Sequence, residues 1–268
     1  MTKIGHTPYK NVNVGLTEPK GKELNMTKRK RISKIVNGIL LCICILSAAA
    51  ALLLGGETVK EGWEYDNLAK DAETQTADGI DWAMLRSRNQ DIAAWLRVEG
   101  TAIDLPVVNT RKGDPADFYL SHDFDRNPSF AGCPYLDARS TAEGAHALVY
   151  GHHMGFTGQI FSPIFATYRQ AEFDKIGEMY WFTPDKGRQV LKPVMAMSVD
   201  KKYQPIQTFD FTSAEEVRSW LSDMKKDATA VSDDCDATIA NATRAITLVT
   251  CSSMNTGGRA RTLLIFVQ

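Results

Sequence analysis

Cysteine is scarce in this chain, five residues in 268. That is too few to staple a small fold, so an apolar core must hold the protein together. No Cys-x-x-Cys pair and no His-Glu-x-x-His pattern occurs, which removes the commonest zinc-ligand spacings. There is no internal repeat and no long low-complexity tract, so a solenoid is not indicated. At 44% hydrophobic and 24% charged residues, the composition excludes a disordered or collagen-like chain. Net charge is also nearly absent, −1 overall, and a nucleic-acid partner is not expected from so balanced a total.

That balance conceals an asymmetry. Residues 1–34 carry +7, residues 35–56 carry no charge, and residues 57–268 carry −8. Ile35 to Gly56 reads IVNGILLCICILSAAAALLLGG, long enough as a helix to cross a bilayer core of about 30 Å. The cluster Lys28-Arg29-Lys30-Arg31 with Lys34 directly precedes it, and the positive-inside rule puts such a flank in the cytoplasm. The expectation is a single-pass signal anchor, N-terminus inside, with the body outside the cell membrane. A cleaved signal peptide is the competing reading, because Ser47-Ala48-Ala49 offers small residues. The apolar run nevertheless continues through Leu52-Leu53-Leu54, past the usual cleavage point. Met26, followed by Thr-Lys-Arg-Lys, is a second candidate start beside Met1.

Cys42 and Cys44 fall inside the apolar run, leaving Cys133, Cys235 and Cys251 exported. An odd number leaves at least one thiol free or paired between molecules. Glu57 to about Ala77 is charged with sparse apolar points at Trp63, Tyr65 and Leu68, and reads as a helical stalk or linker. A helix is predicted over Asp81 to Arg88, and Asp91 to Leu96 continues with apolar positions at helical spacing. From Val98 the texture turns to short β-rich runs bounded by Gly, Pro and Asp. These are Ile103–Val108, Ala147–Tyr150, Met179–Thr183, Val190–Val199, Ala245–Cys251 and Thr262–Val267. One amphipathic helix interrupts them, Ser213 to Lys226, with Val217, Trp220, Leu221 and Met224 on one face. Thr212 or Ser213 is placed to cap it. The pattern predicts one α+β domain, a closed or nearly closed β-barrel decorated by helices.

Three groups of residues carry chemical potential. Cys251 ends an apolar run and opens onto the polar Ser252–Gly258 stretch, read as a flexible loop; a thiol so placed is either a reachable nucleophile or an inert buried side chain. Tyr150-Gly151-His152-His153-Met154 also follows an apolar run, making a strand-end histidine a candidate proton donor. With His122 and His146 the pair invites a metal reading too, but no ligand motif supports it, and no metal is expected. Arg259 and Arg261 alternate before the last apolar run. Residues two apart on a strand share a face, so both arginines are candidates to lower a thiol pKa or bind an oxyanion.

Taken together, these segments resemble the sortases, cysteine transpeptidases of the outer face of Gram-positive membranes. Thr247-Leu248-Val249-Thr250-Cys251 fits their Thr-Leu-x-Thr-Cys signature. Trp95 to Val108 resembles the first barrel strand, and Phe118-Tyr119-Leu120, Gly132 and Tyr135-Leu136-Asp137 resemble the segment after it. The region from Tyr150 through Gly158-Gln159-Ile160-Phe161 is similar to class B, where Tyr-Gly-His-Asn-Met is usual and His153 here replaces the asparagine. Val249 replaces a serine often seen there in class B.

The resemblance spans roughly residues 80–268. It implies a closed eight-stranded β-barrel with an N-terminal helical extension and a helix before the cysteine strand. It divides the chain into a cytoplasmic basic segment (1–34), a transmembrane anchor (35–56), an extracellular linker or helical stalk (57–79) and a catalytic domain (80–268). Catalytic roles carry over to Cys251 as nucleophile, His152 as acid and Arg261 as oxyanion-holding cation, with Arg259 the rival arginine. Thr250 and Arg259 are expected at the substrate. The implied activity is cleavage of a C-terminal sorting pentapeptide of secreted surface proteins after Thr through a thioacyl-enzyme. That acyl group is then joined to an amine of a lipid-linked peptidoglycan precursor, with no cofactor. A non-catalytic, membrane-tethered wall-binding or adhesion module and a purely hydrolytic cysteine peptidase are the alternatives.

Overall fold

The computed structural model describes residues 21–73, 79–155, 157–251 and 258–268, excepting the side chains of residues 21–30, 52–55, 57–58 and Cys251. It comprises two units, Met1–Leu54 and Gly55–Gln268. Helix α1 (Gly21–Ala72) begins in the first unit. There its Arg31–Ala51 stretch, 21 residues of mean hydropathy 2.1, has no buried residue, a length and composition able to cross a membrane.

In the second unit, the last turns of α1 bury Tyr65, Leu68 and Ala72, which share one helical stripe. Trp63, off that stripe, is exposed. The Tyr65 hydroxyl donates to the carbonyl of Gly132 at 2.7 Å. The expected stalk is thus packed against the body through these three side chains. Helix α2 (Trp82–Arg88) is capped by the Asp81 carboxylate, which accepts from the Met84 amide at 2.9 Å.

The next segment departs from the sequence reading. Asp91 to Leu96, taken as helical from its apolar spacing, lies mainly in strand β1 (Ile92–Val98). Ala94, Trp95 and Leu96 are all fully buried. A strand covered on both faces loses the period-two alternation by which a half-exposed strand is recognised, and that loss produced the helical spacing.

The remaining elements are β2 (Asp104–Val108), β3 (Tyr135–Leu136), β4 (His146–Tyr150), α3 (Gln170–Phe173), β5 (Met179–Thr183), β6 (Gly187–Asp200), α4 (Ala214–Lys225), β7 (Ala230–Val231), α5 (Cys235–Ala240), β8 (Ala245–Cys251) and β9 (Ala260–Val267). The sheet runs β5-β1-β2-β3-β4-β8-β9-β6, and β5 pairs again with β6 to close an eight-stranded barrel; β7 adds to β6 as an extra strand. Two contacts are parallel, β2 with β3 and β4 with β8.

Alternation along β8 separates two cores. Ile246 and Leu248 join Trp95, Trp181 and Phe266 in one cluster. Ala245 and Val249 join Leu263, Ile265 and the α4 face of Val217, Trp220, Leu221 and Met224 in the other. Each fully buried large apolar side chain there contributes about 1.5–3 kcal/mol. Ser213 caps α4 by accepting from the Glu216 amide, while the Glu216 carboxylate accepts from the Thr212 amide and hydroxyl, both at 2.7 Å.

Candidate active site

Parallel neighbours end at the same edge of a sheet, and β4 and β8 are parallel neighbours with Tyr150 opposite Val249. The Gly151 amide extends that ladder by donating to the Val249 carbonyl at 3.0 Å. The chain leaving β4 therefore delivers His152 to the edge where β8 ends in Cys251. Cys251 is placed by its backbone, opposite Arg261 of β9; its thiol lies outside the described side chains, as does the polar stretch 252–257. The topology thus brings Cys251, Arg261 and His152 to one edge of the barrel.

His152 is held from two sides. A Cβ at Gly151 would stand 2.5 Å from the Phe161 ring, so glycine there lets the turn sit on Phe161, whose amide donates to the His152 carbonyl at 3.0 Å. The ring's Nε2 lies 2.7 Å from the Leu120 carbonyl oxygen. A carbonyl only accepts, so Nε2 carries the proton and donates, leaving Nδ1 as the other exchanging position. Burial holds the imidazole pKa below its ordinary value, the Leu120 bond opposes this, and the Arg261 charge lowers it further.

Arg261 is half-buried, and its guanidinium donates to the carbonyls of Gly258 and Ala260 at 2.8 and 3.0 Å. Arg259 is exposed and directed elsewhere: it pairs with Asp200 at the end of β6, Nε to Oδ2 2.8 Å, and holds that carboxyl below its usual pKa. Thr250 is buried, and its hydroxyl has no partner among the described residues.

The other histidines among the described residues have separate engagements. His153 stacks on Phe165 with centroids 4.2 Å apart. His122 stacks on Phe118 at 3.8 Å. His146 is fully buried, its Nδ1 donating to the Thr208 carbonyl at 2.8 Å and its Nε2 accepting from the Thr247 hydroxyl at 2.9 Å. Among the described residues, no group of three or more His, Cys, Asp or Glu side chains is placed to hold a metal. Cys133 and Cys235 are free and buried, and burial pushes both thiols up from their ordinary pKa.

Sequence reasoning assigned no role to the Leu120 carbonyl or to Tyr135 and Asp137. Tyr135 packs on Tyr150 with ring centroids 5.5 Å apart, and the Tyr150 hydroxyl donates to Asp137 at 3.1 Å. Tyr135 also feels the Arg261 charge. A cavity of about 480 Å³ lined by Phe118, Leu120, His122, Phe130 and His152 adjoins the histidine. A main-chain acceptor 32 positions away leaves no side-chain signature, which is why residue type alone did not reveal it.

A closed mixed barrel with this convergence of strand ends is the fold of the sortases. A sortase B of Clostridium perfringens superposes with a TM-score of 0.64 at 23% identity, covering 76% of this chain and 96% of that one. The Staphylococcus aureus sortase B–substrate complex gives 0.63 at 21% identity, covering 79% and 97%. In sequence, sortase B of Staphylococcus aureus is 24% identical over 231 residues, 84% of this chain and 91% of the relative. No family model matches the chain. In fold and in sequence the chain is similar to the sortases, and the relatives it matches are sortases of class B.

Proposed function

We propose that the protein is a membrane-anchored transpeptidase that cleaves a C-terminal sorting signal and transfers the acyl fragment to an amine. The observation that carries this reading is the register: Cys251 ends β8 opposite Arg261, and the Val249–Gly151 hydrogen bond brings His152 to the same edge. The Cys251 thiol passes its proton to His152 Nδ1 as its sulfur attacks the Thr carbonyl of the sorting peptide. A carbon–sulfur bond forms, the developing oxyanion is held by Arg261, and the carbon–nitrogen bond breaks as His152 protonates the departing amine. An acceptor amine then attacks the thioester, forming a new amide and releasing the sulfur while His152 takes the amine's proton. No step needs a redox partner or metal.

Cys251 is the nucleophile, His152 the acid and base, and Arg261 the electrostatic group. Thr250, next to the nucleophile, and Arg259, paired with Asp200, are the residues assigned to the substrate. The donors are secreted surface proteins bearing a sorting pentapeptide, and the acceptor is the amine of a lipid-linked peptidoglycan precursor. Residues 1–34 lie in the cytoplasm, 35–56 form the anchor, 57–79 are the extracellular linker or stalk, and 80–268 are the catalytic domain outside. The Arg31–Ala51 helix, apolar and unburied, supports the anchor, and a tethered enzyme meets tethered substrates at raised effective concentration.

The test uses the full chain in detergent micelles with sorting-signal peptides and an oligoglycine or diamino-acid amine. Cleavage with formation of the amide-joined product is expected, and Cys251→Ala should abolish both while leaving circular dichroism unchanged. Full activity in that variant, or free acid as the sole product at saturating amine, overturns the proposal.

A further inference from the structure

The buried polar network behind the Phe118–Leu120 turn ends one residue from the carbonyl that holds His152. Tyr119 is fully buried, and its hydroxyl donates to the Asp91 Oδ2 atom at 2.5 Å. The same carboxylate accepts from Arg126 Nη1 at 2.7 Å through Oδ2 and from Arg111 Nε at 2.6 Å through Oδ1. Asn89 closes the set, donating from Nδ2 to the Tyr119 hydroxyl at 2.8 Å and accepting from the Asp91 amide at 2.9 Å. Arg126 holds φ at +69°, costly for a residue with a side chain. Its guanidinium meanwhile bonds Asp114 at 2.7 Å and lies 4.3 Å over the Phe118 ring.

The backbone of the turn is boxed as tightly. The Tyr119 carbonyl accepts from the Cys133 amide at 2.9 Å, and the Leu120 amide donates to Asp117 at 2.9 Å. Gly132, at φ +65°, sits so close that a Cβ would stand 2.5 Å from the Tyr119 oxygen and 2.9 Å from the Leu120 oxygen. The turn meets the edge where Cys251 ends through the Leu120 carbonyl, which fixes the imidazole.

We propose that Asp91 and Tyr119 are positioning residues for His152: their hydrogen bond holds the Phe118–Leu120 turn so that the Leu120 carbonyl pins Nε2–H and leaves Nδ1 for proton transfer. Buried groups that are completely satisfied rigidify their surroundings, and fixing one nitrogen of a histidine selects which nitrogen reacts. The catalytic consequence rests on the transpeptidase reading; the imidazole geometry does not.

The experiment compares the full-length chain in micelles with Tyr119→Phe, which keeps the ring and removes the hydroxyl, and with Asp91→Asn. Two readouts are taken. The first is the nitrogen-15 signal and hydrogen-exchange protection of the His152 Nε2–H, which reports the turn whether or not peptides are cleaved. The second is kcat and KM for the sorting peptide. Tyr119→Phe is expected to cut Nε2–H protection at least tenfold and kcat five- to twentyfold, with KM within twofold and thiol labelling of Cys251 unchanged. Unaltered Nε2–H protection in a folded Tyr119→Phe protein overturns the proposal, and so does a kcat loss explained wholly by a smaller folded fraction. If Asp91→Asn fails to fold, Tyr119→Phe decides alone. A wild-type chain that cleaves no sorting peptide refutes the enzymatic reading, while the protection measurement still decides the positioning claim.

Discussion

A histidine that must both donate and accept a proton works from an environment that favours neither state heavily. Around His152, burial disfavours the imidazolium, the Leu120 carbonyl favours it, and the Arg261 cation disfavours it again. The net effect is a pKa below the ordinary value, so the neutral imidazole dominates at neutral pH. Removing one of these influences has a definite sign. Arg261→Gln deletes a positive neighbour, so the His152 pKa must rise and the imidazolium must persist to higher pH. Carbon-13 titration of the His152 ring should show the midpoint moving upward, with kcat/KM reduced on the order of a hundredfold through loss of oxyanion stabilisation. A midpoint that stays fixed or moves down would show that the two side chains do not sense each other. At this scale the candidates were legible beforehand: Cys251, His152 and Arg261 were each marked by a residue type suited to chemistry beside an apolar run, and the strand register adds that they share one edge. The separation of Arg259 from Arg261 was not. It depends on Asp200, 59 residues distant, and no local pattern announces which of two alternating arginines a remote carboxylate will claim.

Elements impose a different constraint, because the strand that ends in the proposed nucleophile must itself be held still. β8 is held partly by His146, whose ring bridges Thr247 on β8 and the carbonyl of Thr208, and lies against Trp220 of α4 with centroids 4.5 Å apart. Burial depresses its pKa from 6.5 to about 4. The unfolded chain therefore binds more protons than the folded one between these values, and stability rises with pH across that window. His146 costs nothing above about pH 6.5, and its penalty grows as pH falls, reaching on the order of 3 kcal/mol near pH 4. Denaturant melts of the wild type and of His146→Gln should differ in slope across this window, the wild type losing stability more steeply on acidification. Parallel curves would show that His146 charges without cost. Secondary structure was readable where one face of an element meets solvent or a boundary is sharp: Met179–Thr183 and Ala245–Cys251 coincide with β5 and β8, and the α4 face matches its buried residues. It was misread in β1, where burial on both faces erased the alternation, and the two-residue strands β3 and β7 are too short to carry any period.

Barrel closure is a property of the whole molecule. It depends on pairings such as Val108 with Tyr135 and Met179 with Leu191, which residue-level periodicity does not specify; the eight-stranded expectation came from family resemblance. The charge asymmetry, +7, 0 and −8 along the chain, bears instead on where the molecule sits. The second unit starts at Gly55 and includes the turns of α1 that bury Tyr65, Leu68 and Ala72. A cut before Gly55 keeps those side chains in place, whereas a cut before residue 80 strips them from the core, forfeiting about 1.5–3 kcal/mol for each large one. The chain from Gly55 should therefore be soluble and melt close to the full-length protein, and the chain from residue 80 should melt several degrees lower. Tethering enters only when both substrates share the membrane. The chain from Gly55 should keep kcat/KM for a free sorting peptide within about threefold of the full chain, and should lose tenfold or more in joining a vesicle-bound donor to a lipid-linked amine. Equal rates for both forms on vesicles would mean that residues 1–54 address the protein to a place without contributing to the reaction there.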